Sequence, residues 1–163
     1  MGKEQKTNAM RILDKEKIPY QIHNYTCTEF IDGITVAKAL NQPLERTFKT
    51  LTAQGKSKNY YVFVLPVAEE LDLKKAAHAA GEKSMELLHV KDILAVTGYI
   101  RGGCTSIGMK KQYPVFLHQS AADFDTVFVS GGRLGTQIEL APQDLLKAAR
   151  GVLADIIRQE KES

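Results

Sequence analysis

Two strand-like stretches joined by a polar turn constrain the fold of this chain more than any other feature. Residues 47–54, which begin T-F-K-T-L-T, and residues 60–67, Y-Y-V-F-V-L-P-V, are rich in β-branched and aromatic side chains. The residues between them, G-K-S-K-N, are typical of a turn. The two stretches therefore predict a β-hairpin. Its second strand is apolar on both faces, so we expect it at the centre of a sheet.

Further strand patterns follow one another with no helix between some of them. Residues 20–25, Y-Q-I-H-N-Y, alternate like a strand, and residues 114–118, P-V-F-L-H, predict another. T-V-F-V-S (126–130) and Q-I-E-L (137–140) predict two more, with a Gly-Gly turn between them. This order predicts a mixed α/β fold with a mixed or largely antiparallel sheet, and it argues against a doubly wound parallel sheet.

Helices are predicted between the strands, and most have a capping or stop signal at one end. The predicted caps and stops, in chain order, are Thr7 or Asn8, Pro19, Asp32, Asp72, Gly81 and Gly98. Pro142 opens a final helix predicted over residues 143–158. The apolar stripe of this helix, expected to face the core, comprises Leu145, Leu146, Ala149, Val152, Leu153, Ile156 and Ile157. The last residues, E-K-E-S (160–163), are expected to fray.

The composition is that of an ordinary globular protein, and we expect one domain over residues 1–163. Of the 163 residues, 44% are hydrophobic and 25% are charged, and no apolar run approaches the length of a membrane span. The start, M-G-K-E-Q-K-T-N, has no apolar core of a secretory signal, which predicts a cytoplasmic protein with Cys27 and Cys104 reduced. A net charge of +3 is compatible with an anionic partner but does not identify one.

Two glycine-rich segments look at first like nucleotide-binding loops. In T-G-Y-I-R-G-G-C-T-S-I-G-M-K-K (97–111), Met109 separates the second glycine of a phosphate-loop pattern from its lysine, which excludes that loop. S-G-G-R-L-G (130–135) precedes a strand and not the helix that a dinucleotide site requires. The paired glycines either make tight turns or present backbone amides to an anion or a carbonyl oxygen.

The hairpin raises the question of why a strand contains Lys49. Side chains alternate on a strand, so Lys49 shares a face with Thr47, Leu51 and Ala53, while Phe48, Thr50 and Thr52 lie on the other face. From the residues alone, Lys49 either packs its stem on Leu51 with its ammonium in water or serves a binding site. The scattered cysteines and histidines predict inert thiols, no zinc site and no catalytic triad.

Six motifs together resemble the YbaK/EbsC family of free-standing aminoacyl-tRNA editing proteins, relatives of the editing domain of bacterial prolyl-tRNA synthetases. They are F-K-T-L, V-F-V-L-P, E-L-D-L-K-K-A-A, the segment 97–111, V-S-G-G and Q-I-E-L-A-P-Q-D-L. The similarity extends from about Lys6 to about Leu153. The resemblance implies a mixed α/β fold with a curved, barrel-like, mostly antiparallel sheet and surrounding helices.

The resemblance also implies an activity, the removal of mischarged cysteine from tRNA(Pro) by a deacylase acting in trans. The cysteine thiol of the substrate would attack its own carbonyl, and no metal or cofactor is expected. The implied partners are aminoacyl-tRNA and prolyl-tRNA synthetase. Two alternatives stay open: a deacylase for another mischarged tRNA such as Ala-tRNA(Pro), and a non-catalytic module that binds tRNA or a nucleotide.

Site residues follow from the resemblance position by position. Lys49 matches the functionally central lysine of the family. The matching substrate-binding positions are Tyr25, Thr50, Gly102, Gly103 and Ser130. Two positions depart from the family pattern: Ser106 replaces a usual proline, and Leu134 occupies a position where an arginine is common.

Overall fold

A computed structural model describes residues 5–27 and 29–159. Residues 1–4 and the predicted fraying of residues 160–163 lie outside these described residues. The strands are β1 (Gln21–Asn24), β2 (Phe48–Gly55), β3 (Tyr60–Pro66), β4 (Met85–Leu87), β5 (Val115–His118), β6 (Val127–Arg133), β7 (Thr136–Leu140) and β8 (Gly151–Ala154). The α-helices are α1 (Asn8–Lys15), α2 (Gly33–Ala39), α3 (Leu73–Ala80), α4 (Ile93–Thr97) and α5 (Pro142–Ala149). Within the described residues, no helix is long and apolar enough to cross a membrane.

The strands form two sheets. One contains β1, β7 and β6 in that order, all antiparallel. The other has the order β4-β2-β3-β5-β8, with antiparallel pairs on both sides of β2 and parallel pairs on both sides of β5. A parallel bridge between Thr47 and Phe128 links the two sheets. The predicted mixed, mostly antiparallel architecture is confirmed, but the strands form two open sheets and not a closed barrel.

The predicted hairpin is confirmed as β2 and β3, which pair from Phe48 opposite Pro66 to Gln54 opposite Tyr60. Its two faces contribute to separate hydrophobic clusters. Phe48 packs in the cluster that includes α1 and α5, whereas Ala53 packs in the cluster that includes α3. The hairpin thus lies between two cores, and β3 is central as its apolar pattern predicted.

Local helix signals are confirmed where a side chain or a glycine caps an end. The side chains of Thr7, Asp32 and Asp72 each accept a hydrogen bond from a backbone N–H in the first turn of α1, α2 and α3. Gly81 and Gly98 end α3 and α4 in the left-handed conformation that favours glycine. These signals are local in sequence, which is why they could be predicted.

The last predicted helix is wrong in its second half. Helix α5 ends at Ala149, Arg150 adopts a φ of 55°, and the chain continues as β8, which pairs in parallel with β5. Val152 and Leu153 are 55% and 42% exposed, so the predicted stripe is not one buried face. At Gly151 a Cβ would lie 3.1 Å from the carbonyl oxygen of Val115, so glycine permits this close strand pairing.

Three smaller expectations are corrected. The pair Gly131 and Gly132 is not a turn but lies within β6, where the pairing with β7 shifts register. The turn itself falls at residues 134–135, with Gly135 at a φ of 81°. Helix α1 ends at Lys15, before the predicted stop at Pro19. The short strand β4 was not predicted at all.

A buried histidine at the end of β5 connects two elements of the larger sheet. Nδ1 of His118 lies 2.8 Å from Oγ of Ser120, and Nε2 lies 3.7 Å from the carboxylate of Asp155. The carboxylate is also bound by Lys75 at 3.0 Å. Burial lowers the pKa of His118 below 6.5, although the charges of Asp155 and Glu69 oppose this shift.

We predict that this histidine makes the protein acid-sensitive. Between the lowered native pKa and the ordinary value of 6.5, the unfolded chain binds a proton that native His118 does not, so the free energy of unfolding decreases as pH falls through this window. Urea unfolding at pH 7.5 and pH 5.0 measures the effect. His118→Gln should flatten the pH dependence, whereas His78→Gln, at an exposed position, should not. Equal pH dependence in wild type and His118→Gln would contradict this account.

Candidate functional site

A cavity of about 610 Å³ opens beside the start of β2 and has the size of a small-molecule site. Its walls come from β2, the N-terminal part of α2, the segment 101–104 and the bulged strand β6. Of the six residues singled out by sequence, five line this cavity: Tyr25, Lys49, Thr50, Gly102 and Ser130. Gly103 does not line it. Residues distant in sequence are therefore brought together at one place.

Lys49 is half-buried on the cavity wall. Its ammonium donates a hydrogen bond of 3.4 Å to the carbonyl oxygen of Val67. Burial lowers the pKa of Lys49, and the negative charges of Glu70 and Glu69 partly oppose this shift. The Lys49 ammonium therefore lies on the cavity wall, partly removed from water, and does not extend freely into solvent.

Tyr25, which follows β1, and Ser130, within β6, are two hydroxyl-bearing residues that line the cavity. Burial raises the pKa of Tyr25, so its hydroxyl stays protonated at neutral pH, while a hydrogen bond from the Gly135 backbone opposes the shift. Oγ of Ser130 accepts a hydrogen bond of 3.2 Å from the N–H of Gly132 at the β-bulge. The Ser130 O–H therefore remains available to donate, because an accepted bond leaves the hydroxyl hydrogen free.

The two glycines of the segment 101–104 have different surroundings. A Cβ at Gly102, which has a φ of 86°, would lie 2.6 Å from the Leu134 side chain and 3.0 Å from Phe30. A Cβ at Gly103 would lie 2.8 Å from the backbone of Arg133. The Gly103 N–H already donates to the carbonyl of Ile100 at 2.9 Å. The Gly103 N–H is thus used in a turn, and of the two glycines Gly102 alone lines the cavity, while the expectation that both amides hold a ligand stays a prediction.

The edge of β2 at the cavity lacks a full partner strand. β2 pairs with β3 along its length, but on its other side β4 pairs only with residues 53–55. Beyond these, the Leu88 N–H bonds to the carbonyl of Thr52. Along a strand, the backbone N–H and C=O groups of every second residue point to the same edge. The N–H and C=O of Thr50 therefore face the same open edge as those of Thr52. The cavity thus contains backbone donors and acceptors as well as side chains.

The cavity wall also contains a cationic side chain stacked on an aromatic ring, a pair that was not predicted from the sequence. The guanidinium of Arg101 lies 3.9 Å from the ring centroid of Phe30, and the Phe30 side chain is 40% exposed. Both residues line the cavity. The fold alone brings them together, because 71 positions separate them in the chain. Such a flat cationic and aromatic surface suits a planar base.

The cavity lining also contains two neutral polar groups, Thr52 and Cys104, whose position at the cavity was not predicted from the sequence. Burial raises the pKa of the Cys104 thiol to about 11, so the thiol is protonated at neutral pH, and this supports the expectation that it is inert. The hydroxyl of Thr52 lies close enough to influence that pKa, but the contact does not have hydrogen-bond geometry. Cys27 lies outside the cavity lining and donates from Sγ to the carbonyl of Glu29 at 2.7 Å.

Comparison with known proteins identifies the family. A model of the aminoacyl-tRNA editing domain matches residues 33–148. The chain belongs to this family. It is 45% identical over 158 residues to EbsC of Enterococcus faecalis, named as a candidate Cys-tRNA(Pro)/Cys-tRNA(Cys) deacylase, with 96% of both chains covered. It is also 29% identical over 109 residues to YwhH of Bacillus subtilis, covering 67% of this chain and 69% of YwhH.

Solved structures agree on the fold. A crystal structure described as that of a candidate trans-editing enzyme for prolyl-tRNA synthetase superposes with a TM-score of 0.80 at 19% identity, covering 96% of this chain and all of the other. At that identity the likeness concerns the fold of the editing domain. It confirms the mixed α/β architecture that the motifs implied.

Within the described residues, the cavity of this editing domain contains no histidine, and its ionisable lining residues are Tyr25, Asp32, Lys49, Arg101 and Cys104. The Asp32 carboxylate caps α2 by accepting a bond from the Thr35 N–H, which lowers the pKa of Asp32. Among those same residues, no three His, Cys, Asp or Glu side chains are grouped as metal ligands. A nucleophile with an adjacent base is thus not found on the described walls of the cavity.

We predict that Gly103→Ala disturbs the segment 101–104. The added methyl group meets backbone atoms of Arg133, and such overpacking should lower the free energy of unfolding by about 1–3 kcal/mol. Amide hydrogen exchange in residues 101–104 should also become faster. The matched control is Gly81→Ala, where the backbone has a φ of 72° but no atom lies within 4 Å. This control should lose stability without faster exchange in the segment; wild-type stability of Gly103→Ala would contradict the close approach.

Proposed function

We propose that the protein is a cytoplasmic deacylase that acts in trans and removes mischarged cysteine from tRNA(Pro). The observation that supports this most directly is the half-buried Lys49 on the wall of a cavity that also contains Tyr25, Thr50, Gly102 and Ser130. The substrate class agrees with the name of the 45% identical EbsC. Errors of this type arise because cysteine and proline are similar in size, and a synthetase pocket discriminates such side chains by only about 1–3 kcal/mol.

Lys49 holds and polarises the ester end of the substrate. Its ammonium is already directed toward a carbonyl oxygen, that of Val67, at 3.4 Å. An ester carbonyl of the substrate placed near this position would replace the Val67 oxygen as the hydrogen-bond partner of the ammonium, because the existing bond is weak. Because the group is partly removed from water, its attraction for an oxygen that gains negative charge is stronger than it would be at the surface. Lys49 is therefore the residue we assign to stabilising the reacting carbonyl.

The nucleophile in this proposal comes from the substrate. The cysteine sulfur attacks the ester carbonyl carbon, so a carbon–sulfur bond forms, the carbon–oxygen bond to the ribose breaks, and the thiol proton is transferred to the departing ribose oxygen. The products are free tRNA and a cyclic thioester, which water then hydrolyses. The absence of a base and nucleophile pair on the described cavity walls supports this route, in which positioning and polarisation provide the rate.

The stacked pair of Phe30 and Arg101 supports binding of the terminal adenosine. A purine lying on this pair would gain stacking worth about 1–3 kcal/mol, and the arginine would attract the neighbouring phosphates. The net charge of +3 is small for a protein that binds an entire tRNA by itself. We therefore include prolyl-tRNA synthetase in the proposal as the partner that delivers the substrate.

Two departures from the family pattern motivate the alternatives. Ser106, at the position of a usual proline, is 6% exposed and does not line the cavity. Leu134 packs next to Gly102, so it can alter the position of the segment that borders the cavity. An altered segment would favour a different aminoacyl substrate, such as Ala-tRNA(Pro), or binding without turnover. A substrate without a thiol distinguishes these possibilities, because it cannot follow the substrate-assisted route.

We predict that Lys49→Met lowers the single-turnover rate of cysteine release from Cys-tRNA(Pro) by about 100-fold or more, the range found for removing one stabiliser of a developing oxyanion. Methionine keeps most of the apolar stem, so the fold should be preserved. The matched control is Lys15→Met at an exposed position at the end of α1, which should release cysteine at the wild-type rate.

Ala-tRNA(Pro) is tested beside the cysteinyl substrate. Release of cysteine but not of alanine supports the proposed function, and release of alanine favours the broader deacylase. Salt-dependent tRNA binding with no release of either amino acid would favour the non-catalytic module. A folded Lys49→Met that deacylates at the wild-type rate would contradict the assignment of Lys49.

A further inference from the structure

Thr52 contains a buried polar atom that the fold leaves without a partner. Among the described residues, its Oγ1 is the single buried side-chain nitrogen or oxygen that makes no hydrogen bond. Thr52 is 7% exposed, and it lines the cavity. Leaving a buried hydroxyl unpaired costs free energy, so natural structures contain few such atoms, and each one requires an explanation.

Packing alone does not require a hydroxyl at this position. Across the hairpin, Thr52 lies opposite Val62. On the same face, Thr50 lies opposite Val64. Valine has the shape of threonine with a methyl group in place of the hydroxyl, so it would fill the site without leaving a polar atom unpaired. Apart from its contact with the Cys104 thiol, which lacks hydrogen-bond geometry, the Thr52 hydroxyl has no partner within the described structure, so it fits a partner that enters the cavity.

The surroundings of Thr52 determine which partner fits. The neighbouring Cys104 thiol also lines the cavity and is protonated at neutral pH, because burial raises its pKa. The Thr97 hydroxyl, which lies beside this thiol, is occupied by a bond of 2.8 Å to the carbonyl of Ile93. These neighbours of Thr52 are polar but uncharged, so a charged side chain would lose its hydration here without gaining an ion pair from them.

We propose that Thr52 is a specificity-determining residue that hydrogen-bonds a neutral thiol or hydroxyl group on the β carbon of the aminoacyl moiety. The inference rests on the proposed function of the Lys49 cavity and adds the group that recognises the side chain. Thr50 and Thr52 share one face of β2 and lie roughly 7 Å apart along the strand. Lys49 projects from the other face of β2, but all three residues line the cavity at the open edge of the strand. A small aminoacyl group held at its ester end by Lys49 can therefore reach Thr52 around this edge.

Oγ1 reaches the cavity by a rotation of its own side chain. The atom is buried in the wall of the ligand-free cavity, but the hydroxyl and methyl of threonine are bonded to the same carbon. One staggered step about χ1 moves the hydroxyl to the position of the methyl group or of the β hydrogen, so the hydroxyl can turn toward the cavity that Thr52 lines. No existing hydrogen bond within the described residues is broken by this step, because the hydroxyl has none.

The test compares hydrolysis-resistant analogues in which an amide replaces the ester at the 3′ position of adenosine. The cysteinyl and 2-aminobutyryl analogues have the same shape and differ by a thiol in place of a methyl group; the seryl analogue introduces a hydroxyl. Titration calorimetry should show that wild type binds the cysteinyl and seryl analogues about two- to tenfold more tightly than the 2-aminobutyryl analogue, as expected for one neutral hydrogen bond. Thr52→Val should bind the cysteinyl and 2-aminobutyryl analogues equally.

Thermal stability provides a second readout. Thr52→Val removes an unpaired hydroxyl, so its melting temperature should equal or exceed that of wild type. The matched control is Thr126→Val, because the Thr126 hydroxyl lies outside the cavity lining and donates to Glu139 at 2.5 Å. This control should lower the melting temperature and leave the preference among the analogues unchanged.

The possible failures are distinguishable. If wild type binds the cysteinyl and 2-aminobutyryl analogues equally, or if Thr52→Val retains the preference, the inference about Thr52 is overturned while the proposed function stands. A lowered melting temperature of Thr52→Val with an unchanged preference would assign Thr52 a structural role and also overturn the inference. If no analogue binds to folded wild type, the proposed function fails and the inference fails with it.

Discussion

The architecture depends on β2 being paired along its whole length on one side and only in part on the other. Its pairing with β3 fixes the register and separates the side chains between two hydrophobic clusters. On the other side β4 pairs with residues 53–55, and the bridge between Thr47 and Phe128 joins the start of β2 to β6, which leaves the stretch between them without a strand partner. The cavity occupies this open stretch. Lys49, Thr50 and Thr52 are therefore positioned by a rigid hairpin, and the less regular segment 101–104 forms an opposing wall.

Much of the fold could be predicted because its signals are local. The hairpin follows from two apolar stretches and a polar turn, and the caps at Asp32 and Asp72 follow from single residues before helical patterns. Strand β8 could not be found in this way. Its residues continue the apolar pattern of α5, and only pairing with β5, more than 30 positions earlier, makes them extended. Long-range pairing overrides a local helical pattern when a glycine such as Gly151 permits the close approach.

The site was predictable to a smaller extent, and mainly through family resemblance. Composition and spacing gave no reason to join Tyr25, Lys49 and Ser130, which the fold places around one cavity. Gly103, unlike the other five positions carried over from the motifs, does not line the cavity, and its amide is already bonded to Ile100. Thr52 could not be distinguished by sequence from any other threonine of a strand. It becomes informative only when every buried donor and acceptor has been accounted for in three dimensions.

The chemistry of the cavity suggests how a domain with few reactive groups could be selective. If the substrate provides its own nucleophile, a side chain without a thiol is rejected at the chemical step, however well it binds. If Thr52 also favours a hydrogen-bonding side chain, the side-chain sulfur of the substrate contributes to selectivity twice, once in binding and once in the reaction. The two discriminations multiply because they act at successive steps. A seryl group would pass the first and fail the second, whereas an apolar side chain would fail both. Correctly charged prolyl-tRNA, which has neither a thiol nor a free β substituent, would then be spared without a separate mechanism of exclusion.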